Sequence, residues 1–138
     1  MASPCKIASL AGTSLFAVLA LTGCIDSGSG FAVLEREAVA ADALPADLPA
    51  YADDDLEPST SRFVGEHDGN MLFLAKGKEP GTVCLAVYPN ATDWVIGCGG
   101  GGAEFAVGGP SGGYTVRPDG APVPELHREV ATNVFARG

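Results

Sequence analysis

The sequence predicts a mainly β protein: a small antiparallel sandwich or barrel-like domain with one disulfide-linked hairpin and at most one short helix. Three observations carry this prediction. From Ser61 onward, short β-rich runs alternate with turn signals. Two of these runs, 82–88 and 94–98, each contain a cysteine. Residues 97–113 include nine glycines, which are typical of connections between strands.

The first predicted hairpin consists of the runs 62–67 and 70–75 on either side of Asp68-Gly69. An Asp-Gly pair favours a two-residue type I′ turn because both central residues need a positive φ. Both faces of the two runs carry apolar residues, as expected of strands that are buried on both sides. The turn sets a register with three facing pairs: His67 with Asn70, Gly65 with Leu72, and Phe63 with Leu74.

The second predicted hairpin surrounds the five-residue turn 89–93. If Tyr88 faces Trp94 across that turn, the antiparallel register places Cys84 directly opposite Cys98. Facing residues in a non-hydrogen-bonded pair have Cα atoms about 4.5 Å apart, which suits a disulfide. Zinc and redox chemistry are disfavoured because the spacing contains no C-x-x-C pair. We therefore expect a structural disulfide.

The glycine-rich stretch is predicted to form mobile loops around 99–102 and 108–113. A phosphate-binding loop is excluded because no Gly-Lys-Ser/Thr follows the glycines. Further along, 114–117 is predicted as a strand, and 129–137 as the last strand. A terminal helix beginning at Pro124 is the alternative, because apolar residues there also recur at a spacing of four.

The N-terminus has the layout of a secretory signal peptide over residues 1–23. A positive start with Lys6 precedes an uncharged apolar run, which is short for a membrane span. The run ends in Leu21-Thr22-Gly23-Cys24, which resembles the lipobox of bacterial lipoproteins. This resemblance implies that Cys24 carries a diacylglycerol, becomes the new N-terminus, and holds the protein on the extracytoplasmic face of the cell membrane.

Residues 24–60 are predicted to be an acidic, Pro/Ala-rich tether, with 31–44 compatible with a short helix. Between 25 and 57 there are nine carboxylates and one basic residue, Arg36. The triplet 53–55 is interpreted as part of a solvated linker, since a calcium loop needs alternating ligands and a glycine turn. The whole chain has a net charge of −9, which argues against a nucleic acid partner.

The predicted β-rich domain, 61–138, resembles small exported proteins of actinobacteria. The resemblance rests on Arg62-Phe63-Val64-Gly65-Glu66-His67-Asp68-Gly69, on Cys84-Leu85, and on Trp94 with Gly97-Cys98-Gly99. It covers about half of the chain. It implies a location in the cell envelope and no particular activity.

Candidate catalytic groups are few. His67 lies by the first turn and is interpreted as a solvated histidine, and His127 lies far away in sequence. Ser111 fits a Gly-x-Ser-x-Gly pattern at 109–113, but the strand–turn–helix context of a nucleophile elbow is missing. Glu66, Asp93 and Glu104 are candidates for a carboxylate pair of the kind used in glycoside hydrolysis, although a domain of this size has little room for a sugar cleft.

Three aromatic residues, Tyr88, Trp94 and Tyr114, are candidates for a binding patch. The alternative, and the favoured interpretation, is a cross-strand pair of Tyr88 with Trp94 that stabilises the hairpin.

The leading functional hypothesis is therefore a membrane-tethered, non-enzymatic lipoprotein that acts as a structural or binding module of the cell envelope. No metal site and no cofactor are expected. Two alternatives are an inhibitor or regulator of a secreted enzyme, and a small hydrolase that uses Ser111 with His67 or His127. The partner in the envelope is not identified by any residue pattern.

Overall fold

The computed structural model describes residues 30–100 and 102–138, so the predicted leader 1–23 and Cys24 lie outside the described residues. The described chain forms two four-stranded antiparallel sheets, which confirms the predicted mainly β class. The first sheet has the strand order β1-β2-β3-β4, and the second has the order β5-β6-β8-β7. The strands are β1 (Arg62–His67), β2 (Asn70–Lys76), β3 (Thr82–Tyr88), β4 (Val95–Gly100), β5 (Phe105–Gly109), β6 (Gly112–Val116), β7 (His127–Ala131) and β8 (Val134–Arg137).

The hairpin of β3 and β4 has the predicted register. Val87 faces Val95, and Cys84 faces Cys98. The two cysteines form a disulfide, with Cα atoms 4.0 Å apart. Both the cross-strand pairing and the disulfide are thus confirmed.

The hairpin of β1 and β2 follows the prediction only near its turn. Asp68 and Gly69 have φ values of 49° and 78°, as a type I′ turn requires. The predicted pairs of His67 with Asn70 and Gly65 with Leu72 are confirmed, but the pairing of Phe63 with Leu74 is wrong, because Phe63 faces Phe73. A β-bulge between Phe63 and Gly65 shifts the register by one residue.

The C-terminal segment is two strands, so the prediction of a single strand over 129–137 is wrong, and so is the alternative of a helix from Pro124. The chain reverses at Thr132-Asn133, and Asn133 has a φ of 64°. The Asn133 amide donates to Arg117 O at 3.0 Å and to Asp119 Oδ1 at 2.9 Å, which fixes the turn against the chain that follows β6.

Most glycines of the 97–113 stretch lie in strands, which corrects the prediction of mobile loops there. A Cβ added to Gly97 would lie 2.7 Å from the Val107 side chain, and one added to Gly99 would lie 2.5 Å from Phe105. Both distances are shorter than any real contact of this kind. The glycines therefore let β4 and β5 approach each other more closely than side chains would permit.

The main hydrophobic core lies between the two sheets. Side chains alternate across a strand, so Leu72 and Leu74 face the second sheet while Phe73 and Ala75 face outward. Phe31 and Leu34, which precede the sheets in sequence, are 1% and 3% exposed and belong to this core. The other buried members are Val83, Leu85, Val87, Val107, Tyr114, Val116, Val134 and Ala136.

The segment 31–60, which we call the covering segment, packs on the sheets, and this corrects the expectation of a tether with little fixed structure over these residues. Its α-helix is one turn long, α1 (Ala32–Glu35), and is followed by 3-10 turns at Ala40–Asp42, Ala50–Asp53 and Pro58–Thr60. Leu56 is fully buried beside Cys84 and Ala75 on the outer face of the first sheet. That face is apolar, so covering it removes apolar surface from water. The free energy gained in this way offsets the conformational entropy that the segment loses when it becomes ordered.

Among residues 30–100 and 102–138, no helix has the length and apolar character needed to cross a bilayer.

Candidate functional site

Different segments of the chain lie at the two ends of the double sheet. At one end, Gly30 O accepts a hydrogen bond of 2.8 Å from Asp119 N, next to the turn between β7 and β8. The opposite end holds the β1–β2 turn and the β5–β6 turn, which meet where Asn70 Nδ2 lies 3.4 Å from Ser111 O. The chain therefore enters the folded body at one end, and the two turns meet at the other.

A buried polar cluster joins these two turns. Tyr114 on β6 is 4% exposed and Asn70 on β2 is 2% exposed, and the Asn70 amide donates to Tyr114 OH at 2.8 Å. His67 Nδ1 lies 3.1 Å from the same hydroxyl, and the two rings meet edge to face at 5.7 Å. Burial raises the pKa of the Tyr114 phenol, so the hydroxyl stays neutral and acts as a hydrogen-bonding group.

Two atoms of this cluster are buried without a hydrogen-bond partner in the described part of the chain: His67 Nε2 and Asn70 Oδ1. His67 Nε2 lies 3.5 Å from Asp68 Oδ2, without the geometry of a hydrogen bond. Unpaired buried polar atoms cost free energy. Packing between the sheets and the hydrogen bonds to Tyr114 OH therefore hold the cluster in place despite these two unpaired atoms.

A cavity of about 200 Å³ opens beside the cluster, and we call it the end cavity. Its walls include an imidazole, two charged side chains and two hydroxyl-bearing side chains: His67, Asp68, Arg137, Ser111 and Tyr114. A shallow groove on the second sheet shares Tyr114 and Arg137 with it and continues toward Thr115 and His127. The end cavity and this groove together bring several of the sequence-predicted candidates to one concave surface: His67, Ser111, Tyr114 and His127.

Arg137 makes no ion pair and no hydrogen bond through its side chain within residues 30–100 and 102–138. By contrast, Arg36 binds Asp42, and Arg117 binds Glu104. Arg137 therefore brings an uncompensated positive charge to the wall of the end cavity.

The predicted hydrolase arrangement is not assembled. Ser111 and His67 line the same cavity, but in the described residues no hydrogen bond joins Ser111 Oγ to either histidine. His67 Nδ1 is engaged by Tyr114, and His127 Nδ1 lies 2.7 Å from Glu125 O. A serine nucleophile needs a base within hydrogen-bonding reach, and here that contact is missing.

The aromatic candidates do not form one patch. Tyr114 is buried between the sheets, whereas Tyr88 and Trp94 contact residues of the covering segment. The Tyr88 hydroxyl donates to the Asp47 carboxylate at 2.7 Å, and this hydrogen bond raises the pKa of the Tyr88 phenol. The Trp94 ring lies 5.8 Å from the ring of Tyr51, and no ring contact joins it to Tyr88. The favoured cross-strand aromatic pair is therefore not seen.

The three candidate carboxylates also lie apart. Glu104 pairs with Arg117, Asp93 accepts a hydrogen bond from Asn90, and Glu66 lies on β1. Within the residues that the structure describes, no group of three or more His, Cys, Asp or Glu side chains is arranged to hold a metal ion.

Sequence reasoning missed two residues of the site, Asn70 and Arg137. Asn70 directly follows the Asp-Gly turn. Asparagine is common near turns, so nothing in the sequence indicated that this side chain is buried. Arg137 lies next to the C-terminus, and only the return of β8 beside β6 brings it to the cavity.

Comparison of the chain with protein-family models, with curated proteins and with solved structures found no match.

Proposed function

We propose that this chain is a lipid-anchored binding module of the cell envelope, held on the extracytoplasmic face by a diacylglycerol on Cys24. The observation that supports the location is the bond between Cys84 and Cys98, because such disulfides persist in oxidising compartments outside the cytosol. Together with the lipobox-like Leu21-Thr22-Gly23-Cys24, it favours an exported protein.

The packing of residues 31–60 shortens the part of the predicted tether that can separate the folded body from the membrane. From Cys24 to Gly30 there are only six residue steps, which span at most about 20 Å. The folded body would therefore sit close to the bilayer. Gly30 lies at the end opposite the end cavity, so the cavity would face away from the membrane, where an envelope component can reach it.

Mass spectrometry of the protein from its native membrane tests the proposal. We expect the mature chain to begin at Cys24 and to carry the mass of a diacylglycerol. Cys24→Ala should prevent processing or release the protein from the membrane fraction. Cys5→Ala is the matched control, because Cys5 lies in the predicted leader, and it should leave anchoring unchanged. An unmodified N-terminus at another residue would contradict the anchor.

A further inference from the structure

The end cavity carries both signs of charge in a small space. Asp68 and Arg137 both line it, and they come from different sheets. A purely anionic ligand would use only Arg137, and a purely cationic ligand would use only Asp68. A ligand with both charges close together satisfies both.

Arg137 is suited to a carboxylate. Its planar guanidinium offers paired donors that match the two oxygens of a carboxylate, and within the described residues it has no competing acid. The hydroxyl of Ser111, on the same wall, makes no hydrogen bond in the described chain and adds a further donor. An ammonium group would find its acceptor in the Asp68 carboxylate, whose side chain is 79% exposed.

Part of the cavity wall is held in shape before any ligand binds. Asn70 donates both to Tyr114 OH and to Ser111 O, so one buried side chain fixes two walls of the cavity. This ordering applies to Tyr114 and to the Ser111 backbone, whereas the exposed side chains of Asp68 and Arg137 become ordered when the ligand binds. Asn70 is a positioning residue, since it acts through Tyr114 and Ser111.

The size of the cavity and the net charge of the chain restrict the choice of ligand further. A cavity of about 200 Å³ lies below the range of about 300–1,000 Å³ that is typical of sites for drug-sized ligands, so it suits a smaller solute. The chain has a net charge of −9, which repels free anions. A ligand whose carboxylate is compensated by its own positive charge avoids that repulsion.

We infer that the end cavity binds a small free α-amino acid in its zwitterionic form, with the carboxylate on Arg137 and Ser111 and the ammonium on Asp68. The inference rests on the proposed function only in that it takes the chain to be a binding module. Binding is measured in solution, so its failure is distinguishable from a failure of the lipid anchor.

The test uses the whole chain in detergent and three probes followed by NMR: L-alanine, propionate and ethylamine. Propionate lacks the ammonium of alanine, and ethylamine lacks its carboxylate. We expect L-alanine to shift the amide signals of Ser111, Gly112 and Gly113 in a saturable manner, and the other two probes to bind at least about ten-fold more weakly. Absence of a saturable shift with L-alanine, or equal binding of propionate, overturns the inference.

Two variants locate the site. Arg137→Gln and Asp68→Asn should each weaken L-alanine binding by about ten-fold or more. Arg128→Gln is the matched control, because Arg128 lies on the adjacent strand β7, is exposed, and does not line the cavity. Both substitutions at the site are near the surface, and an unchanged thermal unfolding curve shows that the fold is intact. An equal loss of L-alanine binding in the Arg128→Gln variant would indicate a general effect of charge and would overturn the assignment.

Discussion

Arg36 and Asp42 form an ion pair of 2.7 Å in which the carboxylate is buried and the guanidinium remains partly in water. Asp42 also accepts hydrogen bonds from the backbone N–H groups of Val39 at 2.8 Å and Phe63 at 2.9 Å. Phe63 belongs to β1, so a single carboxylate joins the covering segment to the first sheet. Arg62 adds to this junction, because its guanidinium donates to Arg36 O.

Replacing this carboxylate should loosen the covering segment. Asp42→Asn removes the ion pair and places an amide against several donors, so we expect the free energy of unfolding to fall by about 1–3 kcal/mol. Urea denaturation followed by circular dichroism measures the change. Asp54→Asn, at an exposed aspartate in the same segment, is the control and should have little effect. Equal stability of the two variants would contradict the role given to Asp42.

The same carboxylate predicts a dependence on pH. The hydrogen bonds from Arg36, opposed in part by burial, hold the pKa of Asp42 far below its usual value of 3.8. A carboxyl group whose pKa is lower in the folded state than in the unfolded state contributes stability at pH values above its unfolded pKa. That stability is lost as the pH falls toward the folded pKa. We therefore expect the unfolding midpoint to decrease as the pH falls below about 4. The Asp42→Asn variant should show a shallower decrease over this range, and an identical decrease would argue against the assignment.

The disulfide should contribute a large share of the stability. Cys84 and Cys98 are separated by 14 positions, and closing a loop of that length is worth about 3 kcal/mol. We expect reduction, or the double substitution to alanine, to lower the unfolding midpoint accordingly. Non-reducing peptide mapping should recover the two cysteines in one linked pair. A link from either of them to Cys24 or Cys5 would contradict the structure.

The covering segment should be needed for folding. Leu34→Ala and Leu56→Ala each remove a side chain that is 3% exposed or less, and each should cost about 2–5 kcal/mol. Val39→Ala is the control, because Val39 is 61% exposed in the same segment, and it should change stability by little. Removal of 31–60 should expose the apolar outer face of the first sheet and cause aggregation. A folded, soluble fragment 61–138 would show that the layer is dispensable.

Local chemistry made the hairpins predictable. The Asp68-Gly69 turn and the facing cysteines fix their registers within a few residues, and the sequence carries both signals directly. The bulge near Phe63 was not predictable, because it depends on β1 lying against β7, where a Cβ on Gly65 would meet Ala131 at 2.8 Å. That contact joins residues distant in sequence.

The covering segment was missed for a related reason. Its acidic, proline-interrupted composition is typical of a linker, and it shows no regular period because it packs through isolated residues such as Phe31, Leu34 and Leu56. The need for a cover was nevertheless visible: Phe73 and Leu74 are adjacent and both apolar, so the strand needed a partner on each face. Sequence alone did not say which segment supplied it.

The glycine contacts between β4 and β5 have a consequence for how the protein meets other chains. Each sheet has two outer strands, and outer strands with free backbone groups are templates for pairing with a neighbouring molecule. Here β4 lies against β5 through Gly97 and Gly99, and β1 lies against β7, where Thr132 N donates to Val64 O. The outer strands of one sheet thus shield those of the other. We expect this arrangement to hinder strand-by-strand association between copies of the chain.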